Sequence, residues 1–462
     1  MVSSANDRPR SCNPRHDSIP KVAGFYAFFT NFLTNLRHAS RTARLAAVPN
    51  HSSSCVSALR VTTSAFFLLI LTLTGCRNVG FPDTPAGYRE YAYVANSGTN
   101  TVSVLDLVYL RADRTLQVGN APSALAVNPE RNEIYAVNTG SATVSVIDAS
   151  ANHVAFTLPV HRQPTSITVD PTGHRAYVTN TGANSISVID LDQRHEIVEI
   201  PTLPQPASAA LAPDGRTLVV THSAMGVVSV ITTAPYTPPT LSPITSQFEG
   251  VRATFPGCPG ASAATILPDS SKAFIACSGA HHVMALNLSA APGSWPAKQN
   301  PSLMTDQLLT LLDVGRNPTH LALKPDGGEI FVSNFDSDSI SEIDTQSNQI
   351  GGTYMIGTRP MHGIVSRDNT TLFVANSGAD SIGLYSIEDG KLVSSLHTGS
   401  GPSAMTFSAD EHLLLALDAR AGDVSVIRTQ GKLGPTLFTI LPAGSAPTAI
   451  VTKVIGTRAS AH

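Results

Sequence analysis

The sequence predicts an all-β fold, a ring of eight four-stranded antiparallel units, and three observations carry that prediction. The stretch Tyr93 to Asp106, YVANSGTNTVSVLD, returns as YAVNTGSATVSVID at Tyr135 to Asp148 and as YVTNTGANSISVID at Tyr177 to Asp190, a constant step of 42 residues. Fainter copies begin at Val219, Phe274, Phe331, Phe373 and Leu415, so the motif is written eight times. Thr, Ser, Asn and Gly fill polar positions where Lys and Glu are common, and β-branched residues fill the apolar ones, a sheet-forming composition.

Each unit holds four short apolar stretches of alternating polarity. In the second unit they are Ile134 to Val137, Val144 to Ile147, Ala155 to Val160 and Ser166 to Val169. Asn138-Thr139-Gly140 suits the first hairpin because these residues tolerate positive φ, and Asp170-Pro171-Thr172-Gly173 closes the last with proline presetting φ. One such sheet cannot cover both of its faces, whereas a ring of them can. The inner strands start at Pro122, Pro164, Pro206, Ala261, Pro318, Pro360, Pro402 and Pro447. The chain opens on a second strand, at Tyr91, and ends on an inner-strand sequence, Thr448 to Thr452, so the termini are expected to share one blade and close the ring. Counting gives eight blades; seven is the alternative if the fourth or eighth unit is absorbed differently.

The tetrapeptide Tyr177-Val178-Thr179-Asn180, the strand Val146-Ile147-Asp148 and the run from Pro206 to Pro213-Asp214-Gly215 resemble the YVTN-type (YncE-like) β-propeller repeat family. The resemblance extends over almost all of residues 89–453. It implies the propeller fold and a surface or periplasmic protein whose ligand is seldom obvious. It says little about activity, because propellers host many.

The 462 residues leave room for two or three domains, but unbroken periodicity makes one large repeat domain the expectation. A net charge of −3 with 14% charged residues provides no footprint for nucleic acid. The five cysteines, Cys12, Cys55, Cys76, Cys258 and Cys277, form no CxxC or CxxCH, which disfavours a Cys-rich zinc site and a covalent c-type haem. No cofactor is implied, and GxSxG, Walker A, HExxH and EF-hand patterns are missing.

From Ala65 the chain reads AFFLLILTLTGC behind Arg60, an apolar run too short to span a bilayer comfortably and shaped as an export signal. Leu73-Thr74-Gly75-Cys76 resembles the bacterial lipobox. That resemblance implies a signal peptide over residues 60–75, an acylated Cys76 as the mature N-terminus, and a tether over residues 76–88 holding the protein to a membrane outside the cytoplasm. Residues 1–59 read as a disordered extension or as sequence ahead of a true start near Val48 or Val56. Residues 454–462 read as a disordered tail.

Candidate site residues fall where copies depart from the repeat. Cys258 lies just before an inner strand and Cys277 takes a slot filled elsewhere by Asn, so the register predicts a disulfide in an oxidising compartment. His320 and His362 stand two residues after the inner-strand prolines of neighbouring units, where the others carry Ala124, Ser166, Ser208, Ala263, Ala404 and Ala449. They should meet near the central channel, as weak candidates for a metal. His222 replaces a repeat Asn, and His281 and His282 occupy a hairpin turn on the same face. Arg162, Arg316 and Arg359 precede inner-strand prolines and could attract an anion. Asn96, Asn138, Asn180, Asn334 and Asn376 are expected to bond turn backbone, and Asp106, Asp148, Asp190 and Asp344 to close strands at the other end. Two units run to 55 and 57 residues, with extra length near Thr245 to Pro256 and near Pro292 to Asp306; the second holds the one tryptophan, Trp295.

These features predict a monomeric, lipid-anchored binding scaffold, not an enzyme, for an unknown protein or small molecule, with loops of units four to six as its site. A lactonase-like hydrolase or a metal-binding oxidoreductase component using the same histidines is the alternative. Against it stands the lack of Asp or Glu at the matched inner-strand positions.

Overall fold

The computed structural model describes residues 87–233, 250–289, 305–431 and 434–455. The leader, Cys76, almost all of the tether, the tail beyond 455 and Trp295 lie outside the described residues. Eight four-stranded antiparallel sheets stand in sequence order. Blade 1 combines the second, third and outer strands Arg89–Asn96, Thr101–Asp106 and Arg111–Gln117 with the inner strand Pro447–Ile455. Blades 2 to 8 span residues 122–159, 164–201, 208–256, 261–313, 318–355, 360–397 and 402–442.

The expected closure is present. The last strand pairs antiparallel with the first, Tyr93 opposite Val451 and Arg89 opposite Ile455. The blade frame sits one strand away from the repeat frame. Ser166 to Val169 belongs to the strand Pro164–Val169, which opens blade 3 by pairing with Arg175–Asn180 through the Asp170 to Gly173 turn, and does not complete blade 2. The tight turn wins because it joins neighbouring strands, whereas the linker before each inner proline must cross to a new sheet.

Strand alternation then puts one apolar row on each face, and each row meets the next blade. Tyr93, Val102 and Val104 of blade 1 pack on Ile134, Ala136 and Ile147 of blade 2, all buried. The closing seam sets Ala92 and Val94 against Leu415, Leu417 and Val426 of blade 8. There are eight such clusters for eight seams. Each buried Val, Leu or Ile contributes about 1.5–3 kcal/mol, so the ring is held by many equivalent contacts.

The ends of the ring differ. At the upper end second strands turn into third strands, and linkers cross from each outer strand to the next inner strand. At the lower end lie the inner-to-second and third-to-outer turns. Both long insertions join third to outer strands, Val227–Thr232 to Gly250–Pro256 and His282–Asn287 to Gln307–Asp313, so they leave from the lower end. Gly250–Pro256 is itself the outer strand of blade 4, which moves the extra length of that unit ahead of Gly250. Arg252 clamps the feet of the two insertions: its guanidinium donates to both carboxylate oxygens of Asp306 at 2.7 and 2.9 Å.

The recurrent Asn does a different job from the one expected of it. It ends the second strand fully buried, and its Nδ2 donates to hydroxyls on the third strand: Asn138 to Ser145 at 2.9 Å, Asn180 to Ser187 at 2.8 Å, Asn334 to Ser341 at 2.9 Å. Asn96 also reaches the linker carbonyl of Ala443, and Asn376 that of Ile356. The turn backbone is out of its reach because the side chain points inward beneath the linker. Gly444 passes so close that a Cβ there would lie 2.6 Å from Asn96 Cγ. The aspartates behave as expected: Asp106 Oδ1 accepts the amides of Val108 and Tyr109, and Asp190 Oδ1 those of Asp192 and Gln193.

In blade 5 the slot holds Cys277, and a disulfide joins it to linker residue Cys258 with the Cα atoms 4.8 Å apart. A covalent bond thus replaces the hydrogen bond that ties slot to linker elsewhere. With a sequence separation of 19 between the cysteines, the double substitution Cys258→Ala/Cys277→Asn should lower stability by about 2–4 kcal/mol in denaturant titrations. Alkylation of the unfolded chain should add two labels only after reduction.

Candidate functional site

His320 and His362 come together as expected. Both sit two residues into inner strands, Pro318–Leu323 of blade 6 and Pro360–Val365 of blade 7, and their ring centroids lie 3.9 Å apart with planes tilted by 32°. In each strand the register shifts between the proline and the histidine, as it does at the equivalent position of blades 2, 3, 5 and 8. Gly363 permits the approach: a Cβ there would stand 3.1 Å from that of Ala322 on the neighbouring strand.

The pair is uncharged near neutrality. Burial pulls His320 down to about 4, and burial together with its neighbour holds His362 well below the ordinary imidazole value. His320 Nδ1 accepts the Gly363 amide at 3.3 Å, which places its remaining proton on Nε2. His362 Nδ1 is buried with no hydrogen-bond partner. A polar atom left so inside a folded chain is uncommon and marks the place where a ligand atom would be useful.

The other predicted histidines do not join the pair, and each makes local contacts of its own. His222 is fully buried in the Asn slot of blade 4, its Nε2 3.0 Å from Ser229 Oγ and its Nδ1 3.3 Å from the Pro204 carbonyl, the contacts an Asn makes in its sisters. His281 has φ +56° and fills the left-handed turn position that holds Asn100, Asn184, Asp338 and Asp380 in other blades. There a side-chain oxygen accepts the amide before the next inner proline, as Asn100 does from Ala121 at 2.8 Å; His281 Nδ1 accepts from Asn317 at 3.4 Å. His282 Nε2 contacts the Gly257 carbonyl at 2.8 Å.

The arginines also have local work. Arg162 donates to the Gly182 carbonyl at 2.9 Å, Arg316 to that of Asp336 at 2.7 Å, and the Arg359 guanidinium lies 5.7 Å above the centre of the Phe335 ring. A groove of about 260 Å³ beside Arg162, lined by Thr139, Gly140, Gln163 and Gly182, lies between blades 2 and 3, away from the histidine pair. Among the described residues, no group of three or more His, Cys, Asp or Glu side chains is arranged to hold a metal ion.

One residue of the slot escaped the sequence reading. Asp418 occupies it in blade 8, fully buried, and here the hydrogen bonds reverse: Ser425 Oγ and the Gly399 amide donate to Asp418 Oδ2 at 2.6 and 3.2 Å. Asp418 Oδ1 and Asp423 Oδ1 are both buried without partners. Burial, and then the Asp423 charge, push Asp418 up to about 7. Lining up residues 96, 138, 180, 222, 277, 334, 376 and 418 as one column would have exposed it.

The fold has well-matched relatives among solved structures. AztD from Citrobacter koseri, in its apo form, is 13% identical over 80% of this chain and 98% of its own, with a TM-score of 0.58. A Bacteroides uniformis protein provisionally named a 6-phosphogluconolactonase is 14% identical over 79% and 99%, at 0.53. Dihydro-heme d1 dehydrogenase NirN, in complex with DHE, is 14% identical over 80% and 76%, at 0.58. At these identities the likeness is one of fold. No family model matches the chain, and no curated protein sequence does so.

Asp418 takes up its proton more readily folded than unfolded. Its contribution to stability is therefore complete below about pH 4 and is lost as pH rises through about 7. Asp418→Asn should restore the slot and be more stable than the wild type by about 1–3 kcal/mol at pH 8, with a smaller gap at pH 5, read by urea unfolding at both pH values. His222→Asn should leave stability within about 1 kcal/mol in the same assay.

Proposed function

We propose that this chain is an exported, lipid-anchored β-propeller of the YVTN-repeat type whose work is binding, with His320 and His362 as its ligand-contacting pair. The observation that carries the reading is the pair itself. Two neutral imidazoles meet 3.9 Å apart, one with a buried unpartnered nitrogen, in a column otherwise filled by Ala and Ser. Export and anchoring draw on the Leu73-Thr74-Gly75-Cys76 lipobox, and the Cys258–Cys277 disulfide suits an oxidising compartment. Every blade already covers its two faces against neighbours, so the protein works as a monomer.

Neutral imidazoles can donate from Nε2, accept at a bare nitrogen, or ligate a borderline metal ion. They suit proton transfer poorly here. A base whose conjugate acid titrates near 4 has little driving force at neutral pH, which weighs against the lactonase-like alternative suggested by the Bacteroides uniformis protein's name.

The test is a thermal-shift and calorimetric screen of divalent transition-metal ions and lactones against the wild type and His320→Ala/His362→Ala. A ligand present at about a hundred times its Kd should stabilise the wild type by about 2.7 kcal/mol and leave the double variant unmoved. Lactone turnover lost in the variant would replace binding by catalysis. An identical response in both proteins would remove the pair as the site.

A further inference from the structure

The outer strands around the ring differ by half. Among the described residues, those of blades 5 to 8 expose ten large apolar side chains and those of blades 1 to 4 only two, Phe156 and Val251. Charge runs the other way. The outer strand of blade 1 carries Arg111, Asp113 and Arg114 and that of blade 3 Glu196 and Glu199, whereas those of blades 5 to 8 hold only Asp313 and Lys391.

Position within the strand sharpens the pattern. Outer strands start at the lower end, and it is their second and third residues that are apolar: Leu308 and Leu309 in blade 5, Leu392 and Val393 in blade 7, Leu437 and Phe438 in blade 8. Leu308 is 44% exposed and Val393 61%. Blade 6 has Ile350 and Gly351 there; on the opposite arc the pairs are Ala112 and Asp113, Val154 and Ala155, Glu196 and Ile197, and Val251 and Arg252, three of the four holding a charge. Half of the lower rim thus carries an apolar lip, with Lys391, paired to Asp389, and Arg428, over the Phe438 ring, as the cations set beside it. Contiguous exposure of this kind marks an interaction surface.

We infer that this lip rests on a lipid bilayer surface, an inference that builds on the anchoring proposed at Cys76. The chain enters the propeller at Arg89, where the first strand starts, and antiparallel pairing places that residue at the lower end with the lip. Blade 8, the near end of the lip, adjoins this entry point: the Ala409 amide donates to Glu90 Oε1 at 2.7 Å. The twelve residues 77–88 reach at most about 40 Å, so a chain acylated at Cys76 keeps its lower end within that distance of the membrane. The side chains fit such a surface. Exposed Leu, Val and Phe cost free energy in water that is recovered at the acyl boundary, and the long Lys391 and Arg428 side chains can reach headgroups beside it. Shallow contact also suits an edge strand, whose unpaired backbone groups keep headgroups and water as partners.

The experiment uses the full chain, with Cys12 and Cys55 replaced by serine, in vesicles of phosphatidylethanolamine and phosphatidylglycerol. An environment-sensitive fluorophore is placed at Leu309→Cys, at Val393→Cys or, on the charged arc, at Asp113→Cys. Lipids brominated in the acyl chains should quench the first two at least about twofold more than the third, with blue-shifted emission. Equal quenching at all three positions overturns the docking, and so does shielding at 309 and 393 that persists in detergent with cross-linked dimers. The mass of the N-terminal peptide reads the anchor separately. If Cys76 is unacylated the anchor reading fails, and the labels are then compared on that chain mixed with vesicles, where loss of the difference overturns the lip as well.

Discussion

Everything in this molecule depends on the pairing of its last strand with its first. A blade is a sheet with an apolar row on both faces, and nothing covers those rows except two neighbouring blades. Seven blades in an open arc would leave two such faces in water and an unpaired strand in the eighth. With Pro447–Ile455 hydrogen-bonded to Arg89–Asn96, each seam has a partner, and Ala92 and Val94 gain the leucines of blade 8. The cost is a contact between residues more than three hundred positions apart, whose loop-closure entropy grows only slowly with length. Glu90, holding the Ala409 amide, fastens the same junction at its lower end.

Closure also explains why so many departures from the repeat are silent. In blades 1, 4, 5, 7 and 8 one slot ties the entering linker to the blade. Asn96 and Asn376 do it through a linker carbonyl, His222 with a ring nitrogen, Cys277 with a covalent bond, and Asp418 with the donor and acceptor roles exchanged. The left-handed turn position shows the same tolerance, accepting His281 where other blades use Asn or Asp. What is held constant is a contact, and several side chains can make it.

That distinction sets how much was legible in the sequence. Period, strand count and closure could be read because they rest on spacing and alternation, which every copy repeats. The meeting of His320 with His362 could be read for the same reason: equal positions on adjacent inner strands must be neighbours. The meaning of His222 and His281 could not, because a substitution that conserves a hydrogen bond looks in one dimension like one that creates a site. Asp418 was hidden in a copy whose apolar residues had drifted to Leu413, Leu414 and Leu415. The lip was hidden because outer strands drift most. Their side chains touch solvent, and a leucine there breaks no pattern that packing enforces.

The two proposed surfaces then bear on each other through topology alone. His320 and His362 lie two residues from the upper start of their inner strands, while the apolar pairs lie at the lower start of theirs. Within one sheet, inner and outer strands run antiparallel, so these positions fall at opposite ends of the blades. A propeller resting on a bilayer by its lower rim would therefore hold its histidine pair at the end turned away from the lipid, open to a ligand arriving from the aqueous side. The upper end is also the one where slot, linker and disulfide meet. It is where the two imidazoles of neighbouring inner strands lie 3.9 Å apart.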